Sequence, residues 1–418
     1  MKTVNTFLVG LAAVAISSHA SADVVIRLTG STAYRSNTHT ALTTATPTGL
    51  GFAQTAFTGT TASGGSAAAS GAKYAIYEKG ATPNKITIKT NWTGSVGGIQ
   101  AVAEQRPDVK WLPDVGTSGI VAGSGNNETS AATDGVPADI AFSDSFQSST
   151  VFKTPLLADT ICGIVQFRMV TNFGPGGVNP ITSVNSQQIR ALLTSNVGLP
   201  LSVFTGNSAD TAKVYGIGRD PDSGTRVSLL TEAGLGANGT VVHWSPTSAG
   251  GTVSGISGNN VTSLEAWPPS TLFGINYEEG NGGYASGGDL ARLFRLNTAA
   301  VSVKGAAAAP CYFIAAVGKS DADTVIAPTG SGAGAGKVIK YENADDNALT
   351  SAQVADNIKN GVYPLWSYLH CLHNGLTGDK LAFYSDLTLL LKNSTSSNIK
   401  LDDMKVERII DGATITVK

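Results

Sequence analysis

Charge is scarce in this chain. Of its 418 residues only 28 are Lys or Arg and 30 are Asp or Glu, a formal net charge of −2. Nothing in it is basic enough to track a nucleic-acid backbone or an anionic membrane surface. Cysteine is scarce too: Cys162, Cys311 and Cys371 are the only three. An odd number in an exported chain permits one disulfide and one leftover thiol. All three stand in apolar surroundings ("DTICGIV", "APCYFIAA", "YLHCLHN"), which favours plain buried residues. No C-x2-C pair occurs, and there are only five histidines. His370 and His373 flank Cys371, but such a pair is more often surface or core than ligand, so neither metal nor cofactor is expected. No repeat of fixed period is visible, which argues against a solenoid.

Long hydrophobic runs are missing as well. The N-terminal apolar stretch, residues 7–16, falls short of the roughly 20 residues that a spanning helix needs. It follows Lys2 and precedes "SSHASADVV", with an A-x-A site at Ala20, Ser21 and Ala22. That order reads as a signal peptide over 1–22, cleaved before Asp23. With no cysteine at the cleavage site, a lipid anchor is not expected. The expectation is a soluble bacterial protein, periplasmic or secreted, with no membrane insertion.

What remains is long enough for two or three domains at about 150 residues each. Residues 43–72, 115–137, 236–264 and 326–337 are dominated by Thr, Ala, Gly and Ser, and read as surface loops or edge hairpins. Between them, short apolar runs alternate with helical patterns. "VVIRLTG" reads as a strand leading into a helix capped by Ser31 or Thr32. "KITIKTNW" alternates strictly, as a half-buried strand does. "ADIAFSD", "ICGIVQFRMV", "KVYGIGRD" and "CYFIAAVG" read as further strands, and "SVNSQQIRALLTS" and "GGDLARLFRLN" as helices. "SGTRVSLLTEAGLG" is a helix stopped at Gly234 or Gly236. This alternation predicts an α/β fold with mainly parallel pairing.

Four strands end in loops of small hydroxyl or glycine residues: "TGST" (29–32), "TGSVGG" (93–98), "FSDS" (142–145) and "RDPDSGT" (219–225). At the carboxyl ends of parallel strands, such loops open helices whose unpaired N–H groups and positive dipole end favour anions. Glycine lets the backbone come close, and hydroxyls add donors. Arg219 then has a role as a bidentate partner for an oxyanion. The plainer reading of each loop alone is an N-cap or a turn, and for Arg219 a salt bridge to Asp220 or Asp222.

"GSTAYR", "GSVGGIQAV", "FSDS" and "RDPDSGTR", in that order, resemble the loops of the periplasmic phosphate-binding proteins of ABC transporters. "NPITSVNSQQIRALLTS", "EGNGGYASGGDLARLF" and "GVYPLWSYLHCL" resemble further segments of that family. The resemblance implies a two-lobed flytrap, each lobe a mainly parallel sheet flanked by helices. Lobe 1 would comprise 23–170 and 310–418, lobe 2 171–309. It implies phosphate in the cleft, held by Ser31, Thr32, Ser95, Gly97 and Asp144, with Arg219, Ser223, Gly224 and Thr225 closing from lobe 2. Asp220 or Asp222 would hold the arginine. Where the family carries an aspartate two residues after this arginine, the chain has Pro221, and Val96 interrupts the second glycine loop.

Asp144 would act as a proton test. A carboxylate accepts a bond from protonated phosphate but leaves an unpaired acceptor beside sulfate. Its plainer roles are an N-cap or a partner for Arg219. The implied partners are inorganic phosphate and an ABC permease, with the chain a monomer and not an enzyme. The alternative is a secreted or surface-associated protein that keeps the fold without a transport role. A hydrolase ranks third: no G-x-S-x-G elbow is present, and His243 lies in an insertion-like loop beyond the helix that Ser223 opens.

Overall fold

The computed structural model describes residues 22–58, 71–113, 134–248, 260–272, 274–327, 334–342, 344, 351–394 and 399–418. The expected signal peptide, apart from Ala22, lies outside them, as do the central parts of the four Thr/Ala/Gly-rich stretches.

The chain opens with β1 (Val24–Gly30), then a 3-10 turn (Thr32–Tyr34) running into α1 (Arg35–Thr43). Next come β2 (Ala53–Thr58), β3 (Tyr74–Lys79), β4 (Ile86–Asn91), α2 (Ser95–Ala103) and β5 (Ile140–Ser143). The long β6 (Ala158–Thr171) follows, then α3 (Ser186–Leu193), β7 (Leu199–Pro200), β8 (Lys213–Gly216) and α4 (Gly224–Glu232). After β9 (Trp244–Ser248) and β10 (Val261–Ala266) come α5 (Gly287–Leu293), β11 (Ser302–Val303), β12 (Cys311–Gly318) and α6 (Lys319–Ile326). The chain closes through β13 (Lys337–Tyr341), α7 (Ser351–Lys359), β14 (Trp366–His373) and α8 (Gly378–Asn393).

Local sequence accounts for these choices. Helix α3 buries Ile189, Leu192 and Leu193 at helical spacing, and its start is a capping box between Asn185 and Gln188. Strand β12 is buried along nearly its whole length, which suits its unbroken apolar run between two neighbouring strands. Helix α4 ends where Gly234 takes a positive φ of 70°.

The fold is mixed α/β, a large sheet flanked by helices. Twelve strands form one sheet, whose main order is β7-β8-β12-β6-β14-β5-β1-β4-β3-β2, with β13 also on β6. Parallel pairing joins β1 to β4 and β5, and β8 to β12. The pairs between β6 and β12, β6 and β14, β5 and β14, and β3 and β4 are antiparallel. The strands that end in the glycine- and serine-rich loops are thus joined by parallel pairing, which also links β13 to Ser183–Val184 and β10 to β11. The pair β2–β3 and the returning strand β14 add antiparallel neighbours.

One core runs beneath the sheet from Ile26 and Leu28 through Phe167 and Ile189 to Leu387 and Met404. A second, on the opposite face, gathers Tyr215, Trp244, Leu264, Phe294 and Phe313. Gly30 and Gly98 set the distance between β1 and α2: a Cβ on Gly98 would lie 2.5 Å from the Gly30 Cα. Gly30 itself has φ +111°, and its own Cβ would lie 2.0 Å from the Phe142 carbonyl oxygen. Cys162, Cys311 and Cys371 are all free and buried, as their surroundings indicated. Among the described residues no helix is long and apolar enough to cross a membrane, and no cluster of three or more His, Cys, Asp or Glu is placed to hold a metal ion.

Candidate functional site

The strand-end loops converge on one cavity of about 550 Å³. Ser31, Thr32, Ser95, Asp144, Arg219, Ser223, Gly224 and Thr225 all line it. Ser31 caps the turn after β1, accepting from the Ala33 amide at 3.2 Å, while its own amide donates to the Phe142 carbonyl at 2.7 Å. Ser223 caps α4, its hydroxyl accepting from the Arg226 amide at 3.4 Å. The cap readings and the shared-site reading therefore hold together: the caps fix which way each helix opens.

Asp144 is buried. The Ser95 hydroxyl donates to its Oδ1, and the Asp144 amide donates to the same hydroxyl at 3.2 Å. Burial pushes its carboxyl above the ordinary range, against the bonds from Ser95 and Ser31 and the field of Arg219. The α4 loop comes right down on it: a Cβ on Gly224 would lie 1.7 Å from Asp144 Oδ1 and 2.7 Å from Ser95 Oγ. Only glycine allows that approach.

Arg219 is gripped by main-chain carbonyls, while its charge acts on Asp220 and Asp222 through space. Arg219 Nε donates to the Tyr284 carbonyl and Nη2 to the Ala285 carbonyl, each at 2.9 Å. Behind it, Arg226 Nη1 donates to the carbonyls of Arg219, Asn281 and Gly282 at 3.3, 3.1 and 3.2 Å. His243 packs on Gly218, where a Cβ would fall 2.2 Å from its ring, and its Nδ1 lies 2.9 Å from the Gly282 carbonyl. Burial, helped by Arg226, pushes that histidine down to about 3, so it is neutral and structural. Ser223 and His243 are each engaged in other contacts, and no nucleophile–base pair is made between them.

Asp222 faces the other way. Its Oδ1 accepts from the Gly97 amide at 2.5 Å, and its carbonyl accepts from the Val96 amide at 3.0 Å. A Cβ on Gly94 would lie 2.4 Å from its carboxyl carbon. The Gly97 amide, expected to face a ligand, is thus engaged by the chain's own carboxylate. Pro221 separates the two acids in sequence, yet their charges still act on one another. Burial raises both, and the proximity of Asp220 raises Asp222 further.

Sequence reasoning missed Arg35 and two further loops. Arg35 lines the cavity one helical turn beyond Ser31, and Ser286–Gly288 and Gly318–Asp321, which open α5 and α6, complete the wall. Burial lowers the Arg35 guanidinium, with Asp321 opposing and Arg219 adding to the shift. Burial raises Asp321, against both arginines. The signal for these loops was present: "ASGGD" and "VGKSD" repeat the same order of small residues before a helix. Chemically, two guanidinium groups, several serine and threonine hydroxyls and helix amides face one space. Burial pushes the carboxyls of Asp144 and Asp321 above the ordinary range. Such a space suits a small oxyanion.

No protein-family model matches the chain, and no curated protein does. Among solved structures it is similar to an ABC-type phosphate transport receptor from Vibrio cholerae, at TM-score 0.42 and 14% identity over 90% of this chain and 99% of that one. It is similar also to a possible phosphate binding protein from Planctomyces limnophilus, at TM-score 0.38 and 11% identity over 88% of each chain. Likenesses this distant carry no argument for a ligand, which rests on the cavity itself.

Proposed function

We propose that this chain captures inorganic phosphate, or a related oxyanion, by charge and hydrogen bonds without covalent chemistry. The observation that carries the reading is the meeting of Arg35 and Arg219 with Ser31, Ser95 and Thr225 in one cavity beside the buried Asp144. Asp144, in the charged form that Ser95, Ser31 and Arg219 support against burial, is suited to discriminate by proton count. Phosphate at neutral pH brings a proton that the carboxylate accepts, and sulfate brings none.

In this reading the protein is an exported, periplasmic or secreted solute receptor, a monomer that hands its ligand to an ABC permease. The halves of the sheet on either side of β6 are its two lobes. The pairing of β12 with β8 and the place of Phe313 in the second core favour a lobe boundary after Tyr341 rather than before Cys311. The bond from Gly97 to Asp222 favours a second reading, in which the cleft stays shut by itself and the fold serves no transport.

Titration calorimetry on the ligand-stripped mature chain tests both. Phosphate heat without sulfate heat is expected, and Asp144→Asn should narrow that preference by about tenfold or more, the cost of an unmatched acceptor being about 1–3 kcal/mol. Absence of any phosphate heat or thermal shift would leave the second reading.

A further inference from the structure

The cavity is too large for the ion just proposed. At about 550 Å³ it lies within the range of roughly 300–1,000 Å³ that accommodates organic ligands, whereas a single tetrahedral anion fills only a small part of that. The α2–α4 edge of the site is closed, while its outer side, where Ser36 and Ser320 are exposed, opens to solvent. The α4 loop already touches the opposite wall, through Gly224 on Asp144 and Ser95 and through Asp222 on the α2 amides. Closure along this edge has gone to van der Waals contact, and the space remains.

What lines the surplus differs from the cradle. Beyond Arg35 the wall is formed by Ser36 and Asn37 of α1, Gln166 of β6, and Ser320 and Asp321 of α6. Lys319 and Asp323 add a charged pair to these hydroxyl, amide and carboxylate groups, and Ile164 and Val165 of β6 share the lining. Such a wall offers both donors and acceptors at short intervals, the complement of a polyhydroxylated organic group. Arg35 and Arg219 together balance the two negative charges of a phosphate monoester, and an ester keeps the terminal oxygens that the cradle grips.

We infer that the site takes a small phosphomonoester of a polyol, its phosphate in the Ser31–Ser95–Arg219 cradle and its hydroxyls along Ser36, Asn37 and Ser320. This rests on the phosphate reading above and extends it to the organic part of the ligand. Ser320 has an exposed side chain in the first turn of α6, so a larger residue there fills the outer cavity without disturbing a core.

The test is a calorimetric titration of the stripped mature chain with inorganic phosphate, glycerol 3-phosphate and glucose 6-phosphate, repeated on Ser320→Phe. The expected result is at least one ester binding about tenfold or more tighter than phosphate. That advantage should be lost in Ser320→Phe, the ratio of ester to phosphate affinity falling to about one or below. Phosphate binding as tightly as both esters, or more tightly, overturns the inference and leaves the phosphate reading intact. An ester advantage that survives Ser320→Phe also overturns it, since the organic group then lies elsewhere. If neither phosphate nor ester binds, the phosphate reading itself fails.

Discussion

Arg219 divides its guanidinium between structure and cavity. Nε and Nη2 are spent on the carbonyls of Tyr284 and Ala285, which leaves Nη1 for a ligand. A lysine has the charge but not the planar fork, so it cannot hold both carbonyls and reach the anion at once. Arg219→Lys should therefore lose between about tenfold and about a hundredfold in phosphate affinity, as expected for a charge-assisted bond of about 1.5–3 kcal/mol. Calorimetry reads this directly, and an unchanged dissociation constant would reduce Arg219 to a structural brace. Arg35 completes the pair, yet its role was not legible, because a lone arginine at the start of a polar helix looks like any solvated side chain. The carbonyl fork was equally hidden: its partners lie 65 and 66 positions away in sequence.

At the level of elements, periodicity and turn chemistry were strong guides. The strict alternation of "KITIKT" became β4, and the Ser-Gly-Thr triplet became the cap and first turn of α4. Strand partners were less legible, since an apolar run states that it is buried but not which neighbours bury it, and the antiparallel returns β12 on β6 and β14 on β5 followed no local signal. The contact of Asp222 with α2 belongs to the same class of long-range fact. It also has a pH signature. A carboxyl raised by burial stabilises the fold in its protonated form, a contribution present below the ordinary carboxylate range and lost as pH rises through the raised value. Asn at this position never ionises. The melting temperature of Asp222→Asn relative to the parent should thus be higher at about pH 8 than at about pH 5. A difference independent of pH would mean that Asp222 titrates normally in the fold.

Across the whole molecule, the halves of the sheet share both a strand and a core. Strand β6 pairs with β14 along its first part and with β12 and β13 along its last, and the larger core gathers residues from both ends of the sheet. Two halves connected this way have no seam at which one could melt while the other stayed folded. Scanning calorimetry of the mature chain should show a single cooperative transition, with calorimetric and van't Hoff enthalpies in agreement. Two resolved peaks would show that the lobes are energetically separate despite β6.

The carboxylate that Asp222 lays on the α2 amides is, in effect, a tethered competitor. A group held by a short stretch of chain acts as if present at about millimolar concentration or above, so a free anion reaches those amides only by outcompeting it. Dilute chloride or sulfate would not dislodge it. An incoming ligand that offers the neighbouring arginines more than this internal carboxylate does would gain the amides and release the α4 loop. The site would then have a threshold set by its own side chain rather than by the ion it meets.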